Sequence, residues 1–139
     1  MTSEQLTKAQ RERVTGALDK VPFAKLIGIE LEAVEFGKAT LAFDVRDELK
    51  QNHGVVHGGA IAALIDTATA FAIISILEPE EQTTTVDLTI SYLRPLRGGR
   101  ATAVAEVLKA GRRIIVVSAE LRDDAGKLAA TALTTYIRL

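Results

Sequence analysis

The sequence predicts an α+β domain: a long apolar helix wrapped by an antiparallel sheet of about six strands, with an extra helix at the N-terminus. Three observations carry this. Ala60 to Leu77 runs with a single charge, Asp66, and is rich in alanine, and a helix apolar all round is usually buried in a protein core. Several stretches alternate with period two between turn signals, the mark of strands with one buried face. One of them, Ala101-Ala103-Ala105-Val107, offers a face of small residues on which an alanine-rich helix can pack closely.

Residues 2–20 read as a helix, with Leu6, Ala9, Val14, Ala17, Leu18 and Val21 at helical spacing and Thr2-Ser3-Glu4-Gln5 as a capping box. Pro22 and Gly28 bracket a short turn or helical piece. Ile29-Leu31-Ala33 and Ala39-Leu41-Phe43-Val45, separated by Phe36-Gly37-Lys38, predict a hairpin. The apolar helix follows. It would be about 27 Å long, the lower edge of a membrane span. Asp66 near its middle, flanks without a basic anchor and the polar character of its surroundings argue for a core helix instead. Four strands are then expected in succession at 83–94, 100–109, 112–122 and 128–138, divided by Gly98-Gly99, Gly111 and Asp123-Asp124-Ala125-Gly126. Val86-Leu88-Ile90-Tyr92 and Ile115-Val117-Ala119-Leu121 each mark one face. Tight turns between them predict a four-strand meander.

At 139 residues, with no repeat or low-complexity linker, a single domain spanning 1–139 is expected, and a chain of this size buries roughly 68% of its extended-chain surface. The absence of cysteine excludes disulfides, thiolate metal sites and a cysteine nucleophile. Met1 to Lys20 is polar and mixed in charge, so no signal peptide is read there, and a cytoplasmic protein is expected. A net charge of −1 argues against nucleic-acid binding driven by phosphate neutralisation. That figure averages an asymmetry. Arg94, Arg97, Arg100, Lys109, Arg112 and Arg113 face one anion, Glu106, over a single stretch, which is therefore +5 while the remainder sums to −6. A local basic patch suits a ligand with a few phosphates; a strand edge protected by charge is the plainer alternative.

The chemistry concentrates in Gln51-Asn52-His53-Gly54-Val55-Val56-His57-Gly58-Gly59 and in Asp66. Glycines at a helix entry let a ligand approach the backbone. The free N–H groups of a first helical turn can stabilise a developing oxyanion, with Gly58 N–H as the candidate donor. The plainer reading is a sharp turn into a helix. Asp66, among apolar neighbours, has to be paired, hydrogen-bonded or shifted in proton affinity. It is either a general base or nucleophile, or an aspartate bonded locally to Thr67 or Thr69. His53 and His57 with Asp66 form only a minimal metal set, and the intervening glycines disfavour one continuous helix. Ser3, Ser75, Ser91 and Ser118 stand in no nucleophile-elbow context.

The run Gly54-Val55-Val56-His57-Gly58-Gly59-Ala60, followed by Leu64-Ile65-Asp66-Thr67-Ala68, resembles the signature of the hotdog-fold acyl-CoA thioesterases, and within them the PaaI-like group of the 4-hydroxybenzoyl-CoA thioesterase superfamily. Thr85-Val86-Asp87-Leu88-Thr89-Ile90-Ser91-Tyr92-Leu93-Arg94-Pro95, Gly111-Arg112-Arg113 and Asp124-Ala125-Gly126-Lys127 are similar to the same group. The resemblance covers roughly 22–139 and leaves residues 1–21 outside. It implies the hotdog fold and a homodimer or homotetramer with active sites shared between subunits. It also implies an acyl-CoA substrate hydrolysed without metal or redox cofactor, and no nucleic-acid or membrane partner. Gly58 N–H, following His57, would polarise the thioester carbonyl, with Gly59 beside the substrate. Asp66 would come across the interface to attack or to activate water. Gln51 or Asn52 would supply an active-site amide, and Thr85 a hydroxyl that positions water. Arg97, Arg100, Arg112 and Arg113 would meet the 3′-phosphate and pyrophosphate of coenzyme A, for which arginine forks are suited. Two other functions on the same fold stay open from the residues alone: a non-catalytic acyl-CoA sensor, and a hydratase using His57 as base.

Overall fold

A computed structural model describes residues 5–139. The capping box expected at Thr2 to Gln5 falls largely outside the described residues. Helix α1, Lys8–Leu18, begins later than the periodicity suggested, because Thr7 supplies a complete capping box: its hydroxyl accepts from Gln10 N–H and the Gln10 side chain accepts from Thr7 N–H. Val14 is its fully buried contact with the body of the protein. Helix α2, Pro22–Ile27, has Pro22 in its first turn and ends at Gly28 with φ 83°, a left-handed cap open to glycine at little cost.

Strands β1 (Glu30–Glu35) and β2 (Lys38–Asp44) form the expected hairpin around Phe36-Gly37. A 3-10 turn, Asp47–Leu49, leads through a closed loop to helix α3, Gly58–Ile74. Then come β3 (Thr83–Tyr92), β4 (Arg100–Ala110), β5 (Ile114–Arg122) and β6 (Leu128–Arg138). All six strands join one antiparallel sheet in the order β1-β2-β4-β5-β6-β3. The expected meander is therefore correct for β4 to β6 and wrong for β3. Instead of pairing with β4, β3 crosses to the far edge and pairs with β6 from Thr83↔Arg138 to Tyr92↔Ala130, while β4 pairs with β2.

The sheet curls around α3, which lies chiefly against β2, β4 and β5. Its partners are the faces read from alternation: Ala101, Ala103, Ala105 and Val107 on β4, and Ile115, Val117, Ala119 and Leu121 on β5, all buried. The alanines let backbone approach backbone, and Leu41, Phe43, Leu64, Ile65 and Ile73 fill the remaining space with no exposure. Each such side chain contributes about 1.5–3 kcal/mol through burial. Among the described residues no helix is long and apolar enough to cross a membrane.

Candidate active site

The loop before α3 is tied down at several points. Lys50 and Val56 form an antiparallel bridge, Gln51 N–H donates to Val55 O at 2.8 Å, Val56 N–H to Leu96 O at 2.8 Å and His57 N–H to Leu49 O at 2.8 Å. Gly54 sits at φ 77°, where a side chain is strained. The Gln51 side-chain oxygen accepts from His53 N–H inside this loop, whereas Asn52 and His53 are exposed. Of the two candidate amides, Gln51 is thus part of the loop's internal bonding and Asn52 projects to solvent.

His57 is the N-cap of α3: its Nδ1 accepts from Gly59 N–H at 2.7 Å. The acceptor role means that the ring proton sits on Nε2. Gly59 N–H is therefore already satisfied. Gly58 N–H has no hydrogen-bond partner among the described residues and stands at the positive end of a 17-residue helix. The Tyr92 ring lies against Gly58, so that a Cβ there would meet its Cζ at 3.4 Å, and the Tyr92 hydroxyl donates to Gly58 O at 3.0 Å. A cleft of about 290 Å³ opens beside Gly58, walled by Val56, Ile61, Tyr92, Leu93, Pro95 and Leu96, with Arg94 at its rim.

Asp66 lies elsewhere. It projects from α3 more than two turns beyond Gly58, about 12 Å along the axis, toward β3 and β6. The expected local partners do not reach its carboxylate: Thr67 Oγ1 donates to Ala63 O, and Thr69 Oγ1 to the backbone oxygen of Asp66. Two other hydroxyls do. Tyr136 Oη is 3.3 Å from Asp66 Oδ1, and Thr85 Oγ1 is 3.4 Å from the same oxygen. Thr85 and Tyr136 are register partners across β3 and β6, which is why both arrive at one atom. Oδ2 has no partner among the described residues. Tyr136 is buried, and burial pushes its phenol above the ordinary tyrosine value. The Asp66 charge adds to this, while hydrogen bonds with Thr69 and Thr85 oppose it. Sequence reasoning missed Tyr136; the signal available was its place on the helix-facing side of β6, as one of two tyrosines in the chain.

The basic stretch is not one patch. Arg97 borders a second cleft with Arg94, Asp123 and Asp124, at the Gly58 end of the molecule. Arg112 and Arg113 stand at the opposite end of β4, roughly 33 Å away at the rise of an extended strand. Arg100 is occupied: it bonds Glu32 at 2.8 Å, Asp44 at 3.0 Å and Glu30 at 3.1 Å. These carboxylates, Glu32 foremost, hold its guanidinium above the ordinary arginine value. One cation among three carboxylates leaves a local surplus of negative charge, so the phosphate contact expected at Arg100 does not fit this cluster. Among the described residues no group of three or more His, Asp or Glu side chains converges to hold a metal.

Comparison with known proteins gives a consistent picture. The family described as "Thioesterase superfamily" matches residues 53–130. The chain is 31% identical to the medium/long-chain acyl-CoA thioesterase YigI of Salmonella typhimurium, across 97% of this chain and 98% of that protein. It is 30% identical to the 1,4-dihydroxy-2-naphthoyl-CoA hydrolase of Listeria monocytogenes, across 73% and 83% of the two chains. Its fold superposes on the PaaI protein from the phenylacetic acid degradation operon of E. coli with a TM-score of 0.89, at 26% identity, covering 96% of each chain.

Proposed function

The chain belongs to the thioesterase superfamily, as a hotdog-fold thioester hydrolase of PaaI-like type, and on that premise we propose that it hydrolyses acyl-CoA thioesters at a site assembled from two subunits. One observation supports this above the others. The unpartnered Gly58 N–H and the Asp66 carboxylate stand about 12 Å apart on one helix, too far to act on one carbonyl, although each is suited to half of a hydrolytic step.

In this reading the thioester oxygen is held by Gly58 N–H, strengthened by the helix dipole, and negative charge develops against it as the carbonyl becomes tetrahedral. Asp66 of the second subunit acts through Oδ2. It either takes a proton from an attacking water or attacks the carbonyl carbon to form a mixed anhydride that water then cleaves. Either route consumes one water, breaks the C–S bond and releases a free acid and the thiol of coenzyme A. Thr85, on the exposed side of Asp66, is placed in the role of water-positioning hydroxyl. Gln51 holds the loop that delivers Gly58, with His57 as its helix cap and Gly59 beside the substrate. Arg94 and Arg97 are the phosphate-facing candidates at this end of the subunit.

The homodimer is favoured by the free edge of the sheet. Among the described residues strand β3 has no neighbour on its outer side, yet Val86 is 55% exposed, and Tyr92 and Leu93 are similarly open. Exposed apolar edges of this kind are normally covered. The mainly aliphatic cleft wall makes medium-chain acyl groups the first choice over aryl-acetyl or benzoyl-type groups.

The experiment is thiol release from a panel of those three acyl-CoA classes by the wild-type protein and Asp66→Asn. The chain has no cysteine, so every thiol detected comes from substrate. Turnover lost in the folded Asp66→Asn protein supports the mechanism; turnover equal to wild type sinks it.

A further inference from the structure

Tyr136 and Thr69 are both buried, and neither has a place in the hydrolytic scheme above. Their hydroxyls touch each other and both reach Asp66. Thr69 Oγ1 and Tyr136 Oη are 3.0 Å apart. Thr69 Oγ1 is 2.9 Å from the Asp66 backbone oxygen, and Tyr136 Oη is 3.3 Å from both that oxygen and Oδ1. Each hydroxyl carries one proton, so two protons are shared among more contacts than they can fill at once.

Three chained arrangements use both protons and the Thr69–Tyr136 contact. In the first, Thr69 donates to the phenolic oxygen and Tyr136 donates to Asp66 Oδ1. In the second, Tyr136 donates to Thr69, and Thr69 donates to the Asp66 backbone oxygen, leaving the carboxyl without the phenol. In the third, Thr69 donates to the phenolic oxygen and Tyr136 to the Asp66 backbone oxygen, which leaves the carboxyl without the phenol just as the second does. A charged carboxylate favours the first arrangement, because hydrogen bonds to an ionised acceptor are the stronger ones. A neutral carboxyl, whether protonated or acylated, relaxes that preference. Passing from the first to either of the others needs only rotation of O–H bonds and no movement of a side chain.

We propose that Tyr136 and Thr69 form a hydroxyl relay that positions Asp66, gripping Oδ1 while the carboxylate is charged and releasing it when the reaction neutralises that charge. With Thr85 also on Oδ1, the grip turns Oδ2 toward the reacting groups. Tyr136 and Thr69 are positioning residues acting through Asp66, and the inference rests on Asp66 being the acting carboxylate.

The test compares Tyr136→Phe, Thr69→Val, Thr69→Ser and the Tyr136→Phe/Thr69→Val double variant, with Asp66→Asn alongside, by thiol release from the best acyl-CoA of the panel and by thermal unfolding. A hydrogen bond to a charged group predicts a kcat for Tyr136→Phe lower by about ten- to a hundred-fold, with KM within about twofold. Thr69→Ser, which keeps the hydroxyl, retains most of wild-type kcat; Thr69→Val does not. The double variant is no slower than Tyr136→Phe alone, since members of one relay are not additive. Wild-type kcat in folded Tyr136→Phe, with Asp66→Asn inactive, overturns the relay and leaves the Asp66 reading standing. Equal kcat in Thr69→Ser and Thr69→Val, or additive losses in the double variant, also overturn it. An active Asp66→Asn instead strikes the underlying reading. Thr69→Ser and Thr69→Val still decide the matter if the tyrosine variant does not fold.

Discussion

Gly58 opens helix α3 with an N–H that has no partner among the described residues, and Asp66 leaves the same helix about 12 Å further along. In the proposed function both groups act on one substrate, and that separation assigns them to different chains. The β3 edge, unpaired among the described residues, is the proposed meeting place of the two chains.

Gly58→Pro removes the candidate oxyanion donor with little other damage. Position 58 is the first residue of α3, where proline is well tolerated, and His57 at φ −61°, ψ 134° already has the extended backbone that a residue before proline requires. The expected result is a folded protein with kcat lower by about a hundred- to a thousand-fold, read by thiol release and thermal unfolding. A folded variant with unchanged kcat removes Gly58 N–H from the mechanism.

Ala103→Leu tests the packing between helix and sheet. Ala103 has no exposure and belongs to the small-residue face beneath α3. Added methylenes in a filled core cost about 1–3 kcal/mol, so the denaturant midpoint is expected to fall with the slope unchanged. An unchanged midpoint means that this face is not in close contact with the helix.

Tyr136 makes stability depend on alkaline pH. Burial raises its folded-state value, so the folded protein holds the phenolic proton more tightly than the unfolded chain. Its contribution is complete below about pH 10, the unfolded value, and is lost as pH rises through the raised folded value. Wild type should therefore lose stability more steeply than Tyr136→Phe at alkaline pH. Equal slopes for the two proteins in denaturant titrations at several pH values contradict a raised Tyr136.

Val86→Lys addresses the edge. Val86 is exposed at a bulge in β3, where the pairing with β6 shifts register, and lysine on an open edge opposes pairing with another chain. Sedimentation should find this variant folded, monomeric and inactive. An active monomer would mean that one chain suffices.

Much of this was legible in the sequence because periodicity reports faces. Ala101, Ala103, Ala105 and Val107 had to lie against something small, and the alanine-rich stretch around Asp66 was the candidate. Strand partners are a different matter. The alternation Val86-Leu88-Ile90-Tyr92 marks a strand without naming its neighbour, and nearest-in-sequence pairing put β3 beside β4 when it belongs beside β6. Tyr136 reaches Asp66 only through that pairing, so this partner of the carboxylate was hidden, whereas Thr85 was named through the family resemblance and Thr67 and Thr69 were the local candidates. The same limit applies to charge. Arg97 and Arg112 are near in sequence and at opposite ends of a strand in space, while Arg100 is neutralised by Glu30, Glu32 and Asp44 from two other strands.

The central claim is that each active site takes Gly58 from one chain and Asp66 from the other, and subunit mixing measures it directly. Asp66→Asn and Gly58→Pro proteins, each inactive alone, are unfolded together at equal concentration, refolded and assayed for thiol release. In a shared site, half of the dimers are mixed and each holds one site with both groups intact, so activity returns to about a quarter of wild type. If both groups act within one chain, every site in the mixture carries a lesion and no activity returns, which would contradict the account.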